Sequence, residues 1–281
     1  MKMVVLSHYQ VKLVLDALRN GLGTLSMSLD LGLSTTQLSV DAHGLQLPNG
    51  ELLKLRDVEE IAKSTSSCFV IDDGETRAIQ FYSEATERVY SLYPTIKAPT
   101  MLVSGIPMHR IKDTDPHQDT LEKIRAIKPV VGQVLDTATG LGYTAIEAAR
   151  TAEHVTTIEL DPAALKVCEL NPWSQELFDN PKITQLIGDS FDVVAEMEAG
   201  RFTRVIHDPP AFNLAGDLYS GEFYRELYRV MRNRSLLFHY IGDPESKSGR
   251  SITAGVIRRL EQAGFRQVRR APRTFGVVAM K

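Results

Sequence analysis

Cysteine is almost missing from this chain: only Cys68 and Cys168 occur, far apart in the sequence. Such a pair builds no disulfide framework and has no zinc-type spacing. The seven histidines are scattered without a ligand pattern, so no metal site is expected. Long hydrophobic runs are lacking too. No stretch of about 18 apolar residues is available to span a bilayer, and the apolar part of MKMVVLSHYQVK is too short for a secretory signal. The expectation is a cytoplasmic protein with no membrane partner. Charge of one sign is also scarce, since the net value is −3, which gives no general attraction to nucleic acid. Internal repeats and low-complexity tracts are absent, and the sequence carries no signal for an oligomeric state.

What the chain does have is apolar sequence, 43% of 281 residues, which is long for one domain and comfortable for two. From about residue 130 short apolar runs alternate with helix-length amphipathic stretches, the pattern of a parallel sheet with crossover helices. The strands read GQVLDTA, HVTTIEL, KITQLIG, TRVIHD and SLLFHYIG, with helices near 143–152, 162–171, 190–198 and 221–231. A last helix over 251–264 stops at Gly264. After it QVRRAPR and TFGVVAMK have no room for a crossover and pair as an antiparallel hairpin. Residues 1–104 differ: a helix near 8–20, alternating segments such as TLSMSLDL and TTQLSVDA, a short helix near 56–64, then SCFVIDD, RAIQFYS and ERVYSLY. They predict a small, mostly antiparallel α+β domain preceding an α/β domain at 105–281. The Pro-rich, polar segment 94–130 reads as the connection.

The first strand of the α/β half runs into LDTATGLGYTAIEAA, with Asp136 at the strand end and Gly140 and Gly142 in the turn to a helix. Backbone that approaches a ligand this tightly needs residues without a Cβ. Dinucleotide, nucleotide and S-adenosylmethionine all remain candidates, because the looser G-x-G-x-x-A form decides little. Strand two then ends in Glu159, where a carboxylate can accept from two ribose hydroxyls, and strand three ends in Gly188-Asp189-Ser190. An alternative role for Asp161 or Asp189 is to cap the helix that follows.

With these strand ends the chain resembles the class I S-adenosylmethionine-dependent methyltransferases over about residues 105–281. The resemblance implies a Rossmann-like sheet of order 3-2-1-4-5-7-6 with the last strand antiparallel. It implies S-adenosyl-L-methionine as cofactor, with Asp136, Ala138, Gly140 and Gly142 at its amino acid part, Glu159 and Leu160 at the ribose, and Asp189 and Ser190 at the adenine.

Strand four ends in HDPPAF. Two prolines cannot continue a strand, since each lacks a backbone N–H. Families that methylate an exocyclic base amine carry Asp or Asn, two prolines and an aromatic at this place. An amine conjugated to a ring is a poor nucleophile, and two acceptors can orient its developing lone pair. Asp208 and the Pro209 carbonyl would be those acceptors, with Phe212 or Tyr219 lining the pocket. Ala211 displaces the aromatic by one position from the common form. The DPPxF variant resembles some large-ribosomal-RNA methyltransferases, including ones acting on carbon 5 of cytosine. That chemistry needs a nucleophilic cysteine, and neither cysteine follows strand four or five. His207 is a candidate base, the alternative being a packed histidine satisfied by backbone.

DPPAFNLAGDLYSGEFYRELYRVM also resembles the spermidine synthase family of aminopropyltransferases. Their catalytic aspartate lies three residues before the Asp-Pro, where this chain has Val205, and their GGGDG turn is replaced by TATGLG. The combination of SGIPMHR, LDTATGLGYTAIEA, DPPAF and LYSGEFYREL is similar to a group of predicted archaeal-type methyltransferases. In that group's terms Met108, His109 and Arg110 belong to the approach to the site, with His109 and Arg110 as substrate-binding candidates. Asp119 and Thr120, placed just before the first helix of the fold, are candidates on the same footing.

The expected function is methyl transfer to a nitrogen, with RNA as partner. DPPxF, the separate N-terminal domain and a basic C-terminal stretch carry the RNA reading. In that stretch Arg258, Arg259, Arg266, Arg269, Arg270, Arg273 and Lys281 face the single acid Glu261, and solvated faces are the other reading of the same run. Two alternatives are alkyl transfer to a small-molecule amine such as a polyamine, using Asp208 and Asp217, and a catalytically inactive binding protein of the same fold.

Overall fold

A computed structural model describes residues 3–212 and 214–281. The chain divides into two compact units. The first takes the chain up to His117 together with Ala163–Gln175; the second is Gln118–Pro162 with Glu176–Lys281.

In the first unit the helix His8–Arg19 starts at Ser7, whose N–H donates to Gln10 Oε1 at 3.0 Å in a capping box. Val11, Val14 and Ala17 recur on its buried face, and Val58 and Ile61 play the same part in the helix Leu55–Lys63. Small antiparallel sheets accompany them: Val4–Leu6, Phe69–Asp72 and Glu75–Ala78; Thr24–Met27 through Leu52–Lys54; and Gln80–Ser83 through Ile106–Pro107. RAIQFYS, expected as one strand, serves two of these sheets. At the break Ile79 N–H donates to the Cys68 carbonyl at 2.9 Å, and Leu92 N–H donates to the Ile79 carbonyl at 3.0 Å. The segment expected as a connection also holds structure, the strands Thr100–Val103 and Ile106–Pro107 and a helix.

That helix is α1 (Pro116–Ala126), and the second unit continues from it. Its strands are β1 (Gln133–Asp136), β2 (His154–Glu159), β3 (Ile183–Ile187), β4 (Phe202–His207), β5 (Met231–Tyr240), β6 (Arg266–Ala271) and β7 (Gly276–Met280). Among the described residues they form one sheet of order 3-2-1-4-5-7-6, the order the methyltransferase resemblance implies. β1 to β5 pair in parallel, while β7 is antiparallel to both β5 and β6. The central strands are buried on both faces and so read as continuous apolar runs. Leu135, Val205 and Leu237 pack there with Phe223 and Leu227 in one core.

The helices after β1, β2, β3, β4 and β5 are α2 (Tyr143–Ala149), α3 (Pro162–Glu169), α4 (Ser190–Ala195), α5 (Gly221–Val230) and α6 (Lys247–Gln262). α6 starts four residues earlier than the apolar periodicity predicts. Ser246 caps it, its hydroxyl accepting from Gly249 N–H at 2.9 Å. Gly249 reads as a breaker in the sequence, yet a Cβ there would fall 1.8 Å from the Asp243 carbonyl, so the first turn admits only glycine. β5 likewise begins at Met231, directly after α5, with a register shift opposite Phe202 and Arg204 and a positive φ at Arg234. No helix among the described residues is long and apolar enough to cross a membrane.

Candidate functional site

Parallel strands of a doubly wound sheet present their carboxyl ends along one edge, and ligands bind in the crevice outside it. Here that edge carries Asp136 on β1, Glu159 on β2, Asp189 after β3 and Asp208 after β4.

Asp136 is fully buried. Its Oδ2 accepts from the Thr144 hydroxyl at 2.9 Å and the Thr157 hydroxyl at 3.2 Å. Burial pushes its carboxyl up to about 7 against those hydrogen bonds, and the charge of Asp208 adds to the rise. The turn beyond is braced across the sheet: Thr139 N–H donates to the Ile158 carbonyl at 2.9 Å, and the Thr139 and Thr157 hydroxyls lie 2.7 Å apart. Both turn glycines have positive φ. At Gly142 a Cβ would meet the Leu177 side chain at 2.8 Å, whereas Gly140 faces open space. Gly140 N–H donates to Glu159 Oε2 at 2.9 Å, and Asp161 N–H donates to Oε1 at 3.1 Å. Burial raises the Glu159 carboxyl to about 7 even so.

Ser190 is buried, and its hydroxyl donates to the Thr137 carbonyl at 2.6 Å, tying the end of β3 to the turn after β1. Asp189 is exposed and accepts from Phe191 N–H at 2.8 Å, which makes it the N-cap of α4. Leu160, 51% exposed, lies just past Glu159. Ala138 is half-buried inside the turn. These residues fit an adenosyl cofactor on one observation: the bare backbone of Gly140 opens on space beside two strand-end carboxyls that have no ammonium or guanidinium partner among the described ion pairs.

The fourth strand end is built more firmly. His207 is fully buried; its Nε2–H donates to the Leu218 carbonyl at 2.8 Å, which leaves Nδ1 to accept from the Thr137 hydroxyl at 2.7 Å. Burial lowers its pKa to about 3, so it stays neutral and has no nitrogen to spare as a base. Its ring lies 4.3 Å from that of His239, whose Nδ1–H donates to the His207 carbonyl at 3.3 Å while Nε2 faces the Tyr224 hydroxyl at 2.8 Å. The loop itself hangs on Tyr219. This side chain, expected to line the acceptor pocket, is only 1% exposed, because its hydroxyl donates to the Pro210 carbonyl at 3.0 Å and its own carbonyl accepts from Arg259 Nε at 2.9 Å. It therefore holds the loop from behind. Pro209 is buried, and Phe212 stands in front of Tyr219, 46% exposed and edge-on at 5.3 Å between ring centres. Asp217 is exposed.

Asp208 brings in a residue that motif reading missed. Lys123 Nζ lies 2.7 Å from Asp208 Oδ2 and 2.8 Å from Asp119 Oδ2, with the Tyr240 ring centre 4.6 Å away. Burial alone would lower the lysine's pKa, but the two carboxylates outweigh it and leave it raised. Asp119 and Thr120 thus sit inside α1, not ahead of it: Asp115 Oδ1 accepts from His117 N–H at 3.1 Å, and Pro116 takes the first helical position. The available signal was the i, i+4 pair Asp119 and Lys123 on the same face as Thr120, Ile124 and Ile127, where charge is out of place unless paired. His109 and Arg110 are half-buried in the first unit, where Thr100 Oγ1 lies 3.0 Å from His109 Nδ1.

The family model named Conserved hypothetical protein 95 matches residues 118–237. An uncharacterized protein of Methanocaldococcus jannaschii is 45% identical over 226 residues, 80% of this chain and 77% of that one. A polyamine aminopropyltransferase of Sulfurisphaera tokodaii is 31% identical over 88 residues, 30% of this chain and 29% of the other. Among solved structures, spermidine synthase from Thermotoga maritima has a TM-score of 0.56 at 17% identity, covering 71% of this chain and 70% of its own. MNMC2 from Aquifex aeolicus has a TM-score of 0.52 at 16% identity, covering 71% and 72%. Likeness at such identities establishes the fold, which is the Rossmann-like one of S-adenosylmethionine-dependent methyltransferases and their aminopropyltransferase cousins.

Proposed function

The chain belongs to the family of the Methanocaldococcus jannaschii protein, and from that premise and its fold we propose that it is an S-adenosylmethionine-dependent methyltransferase acting on a nitrogen of an RNA base. One observation carries the reading: Asp208, held by Lys123, ends β4 in an Asp-Pro-Pro turn beside the buried carboxyl of Asp136. The cofactor supplies a sulfonium methyl carbon open to in-line attack. Asp136, Ala138 and the Gly140 to Gly142 turn would hold its amino acid part, Glu159 and Leu160 its ribose, and Asp189 and Ser190 its adenine. Asp208 and the Pro209 carbonyl accept from the N–H groups of the nucleophile and fix its lone pair toward the methyl. Each such charge-assisted bond is worth about 1.5–3 kcal/mol when it strengthens in the transition state. Transfer would form the nitrogen–carbon bond as the methyl–sulfur bond breaks and the sulfonium leaves as a neutral thioether, and the surplus proton would pass from the nitrogen to solvent at the half-buried mouth of Asp208. Phe212, exposed in front of the loop, offers the face on which a flat ring stacks.

Aminopropyl transfer to an amine is supported by the partial likeness to the Sulfurisphaera enzyme. Against it, Val205 stands where that chemistry needs an acid and is fully buried in the core. Purified protein with labelled S-adenosylmethionine distinguishes the readings. Asp208→Ala should lower transfer by at least about a hundredfold, equal to about 2.7 kcal/mol, and leave cofactor affinity within about threefold. Failure of the wild-type protein to bind S-adenosylmethionine by calorimetry would instead favour an inactive binding protein.

A further inference from the structure

The carboxylate of Asp208 reaches the crevice with a cation already attached. Lys123 Nζ bridges it to Asp119, and the side chains of Lys123 and Asp119 are 1% and 0% exposed against 15% for Asp208. The Tyr240 ring completes the surround. Two carboxylates and an aromatic face are what a protonated aliphatic amine seeks in a binding site. In this chain the ammonium of Lys123 has that place.

We infer that Lys123 sets acceptor specificity: by filling the carboxylate pair at Asp208 with its own ammonium, it admits a neutral conjugated N–H donor and rejects polyamines and other aliphatic ammonium ions. This rests on the reading of Asp208 as the group that meets the nucleophile. A second ammonium drawn to Asp208 would come within about 5 Å of Lys123 in a poorly solvated place, where like charges repel strongly. A base amine is unprotonated near neutral pH and adds no charge, and an ionised carboxylate has several lone-pair positions to share between Lys123 and a second donor. Val205 removes the other route, since three residues before Asp208 the chain offers a buried methyl pair and no acid. The raised pKa of Lys123 agrees with a permanent cation.

Calorimetric titration of the full chain with spermidine and with putrescine tests this. The wild-type protein should bind either more weakly than about 1 mM, and Lys123→Met should tighten binding by at least about tenfold. Lys123→Arg, which restores the cation, should behave as wild type. Adding Asp208→Ala to Lys123→Met should remove the gain, which separates this site from the acidic surface elsewhere. Because Lys123→Met leaves two carboxylates uncompensated, the double variant Asp119→Asn with Lys123→Met is titrated beside it and should show the gain in the same direction. Wild-type binding as tight as that of the variants, or no gain in either, overturns the inference. These titrations need no turnover, so labelled methyl transfer run in parallel reports on the methyltransferase reading separately.

Discussion

Asp136 and Glu159 are acids whose folded forms hold their protons up to about pH 7, against ordinary values of 3.8 and 4.5. Between about pH 4 and 7 the folded chain therefore binds more protons than the unfolded one, and stability falls as pH rises through that window, levelling above it. Asp136→Asn removes one titration while keeping acceptor oxygen for Thr144 and Thr157. Thermal melts from pH 5 to 8 should show a shallower decline for the variant, of the order of a few kcal/mol over the window. An unchanged profile would mean that Asp136 is ionised throughout. At this scale the sequence was most informative where a residue closes a strand: Asp136, Glu159 and Asp208 are legible because the apolar run before each announces the sheet edge. Lys123 was legible only as the i, i+4 partner of Asp119, not as a residue of this site. Its partner Asp208 lies far along the chain, and only the fold brings a helix residue under a strand end. His207 is decided by its partners, Thr137 and the Leu218 carbonyl, which no local pattern displays.

The strands and helices of the second unit follow from periodicity and from turn residues, and the final antiparallel hairpin from the short join between QVRRAPR and TFGVVAMK, whereas the sheet order is what the methyltransferase resemblance implies. Departures occur where a backbone contact overrides local preference. Gly249 is tolerated inside α6 because the Asp243 carbonyl leaves no room for a Cβ, and β5 starts early because an irregular stretch with a left-handed Arg234 absorbs three extra residues beside β4. The loop after β4 is the functional case. Its prolines are visible in sequence, but its support, the Tyr219 hydroxyl on the Pro210 carbonyl, is a tertiary contact. Tyr219→Phe leaves that carbonyl without its donor, which should cost about 1 kcal/mol of stability. Methyl transfer should fall by about tenfold, with S-adenosylmethionine affinity within about twofold. Denaturant melts and single-turnover rates measure the two effects. A rate equal to wild type would show that the loop keeps its position without Tyr219.

Over the whole molecule the charge is unevenly spread. Net charge is −3, yet Arg266, Arg269, Arg270 and Arg273 are all exposed on or beside β6, the edge strand of the sheet. Exposed cations on an edge strand deter strand-to-strand aggregation, and they can equally meet phosphates. If RNA is the substrate, replacing Arg269 and Arg270 with Gln should weaken binding and lower the log–log salt slope by about 0.7 to 0.9 for each phosphate that is no longer neutralised. Filter binding at several salt concentrations reads this, and an unaltered slope assigns the arginines to the edge-protecting role. The central claim concerns the destination of the methyl group. Tritiated methyl from S-adenosylmethionine, supplied with this protein to extract of a strain lacking it, should appear in the RNA fraction and not with Asp208→Ala; label confined to the protein or small-molecule fraction would contradict the account.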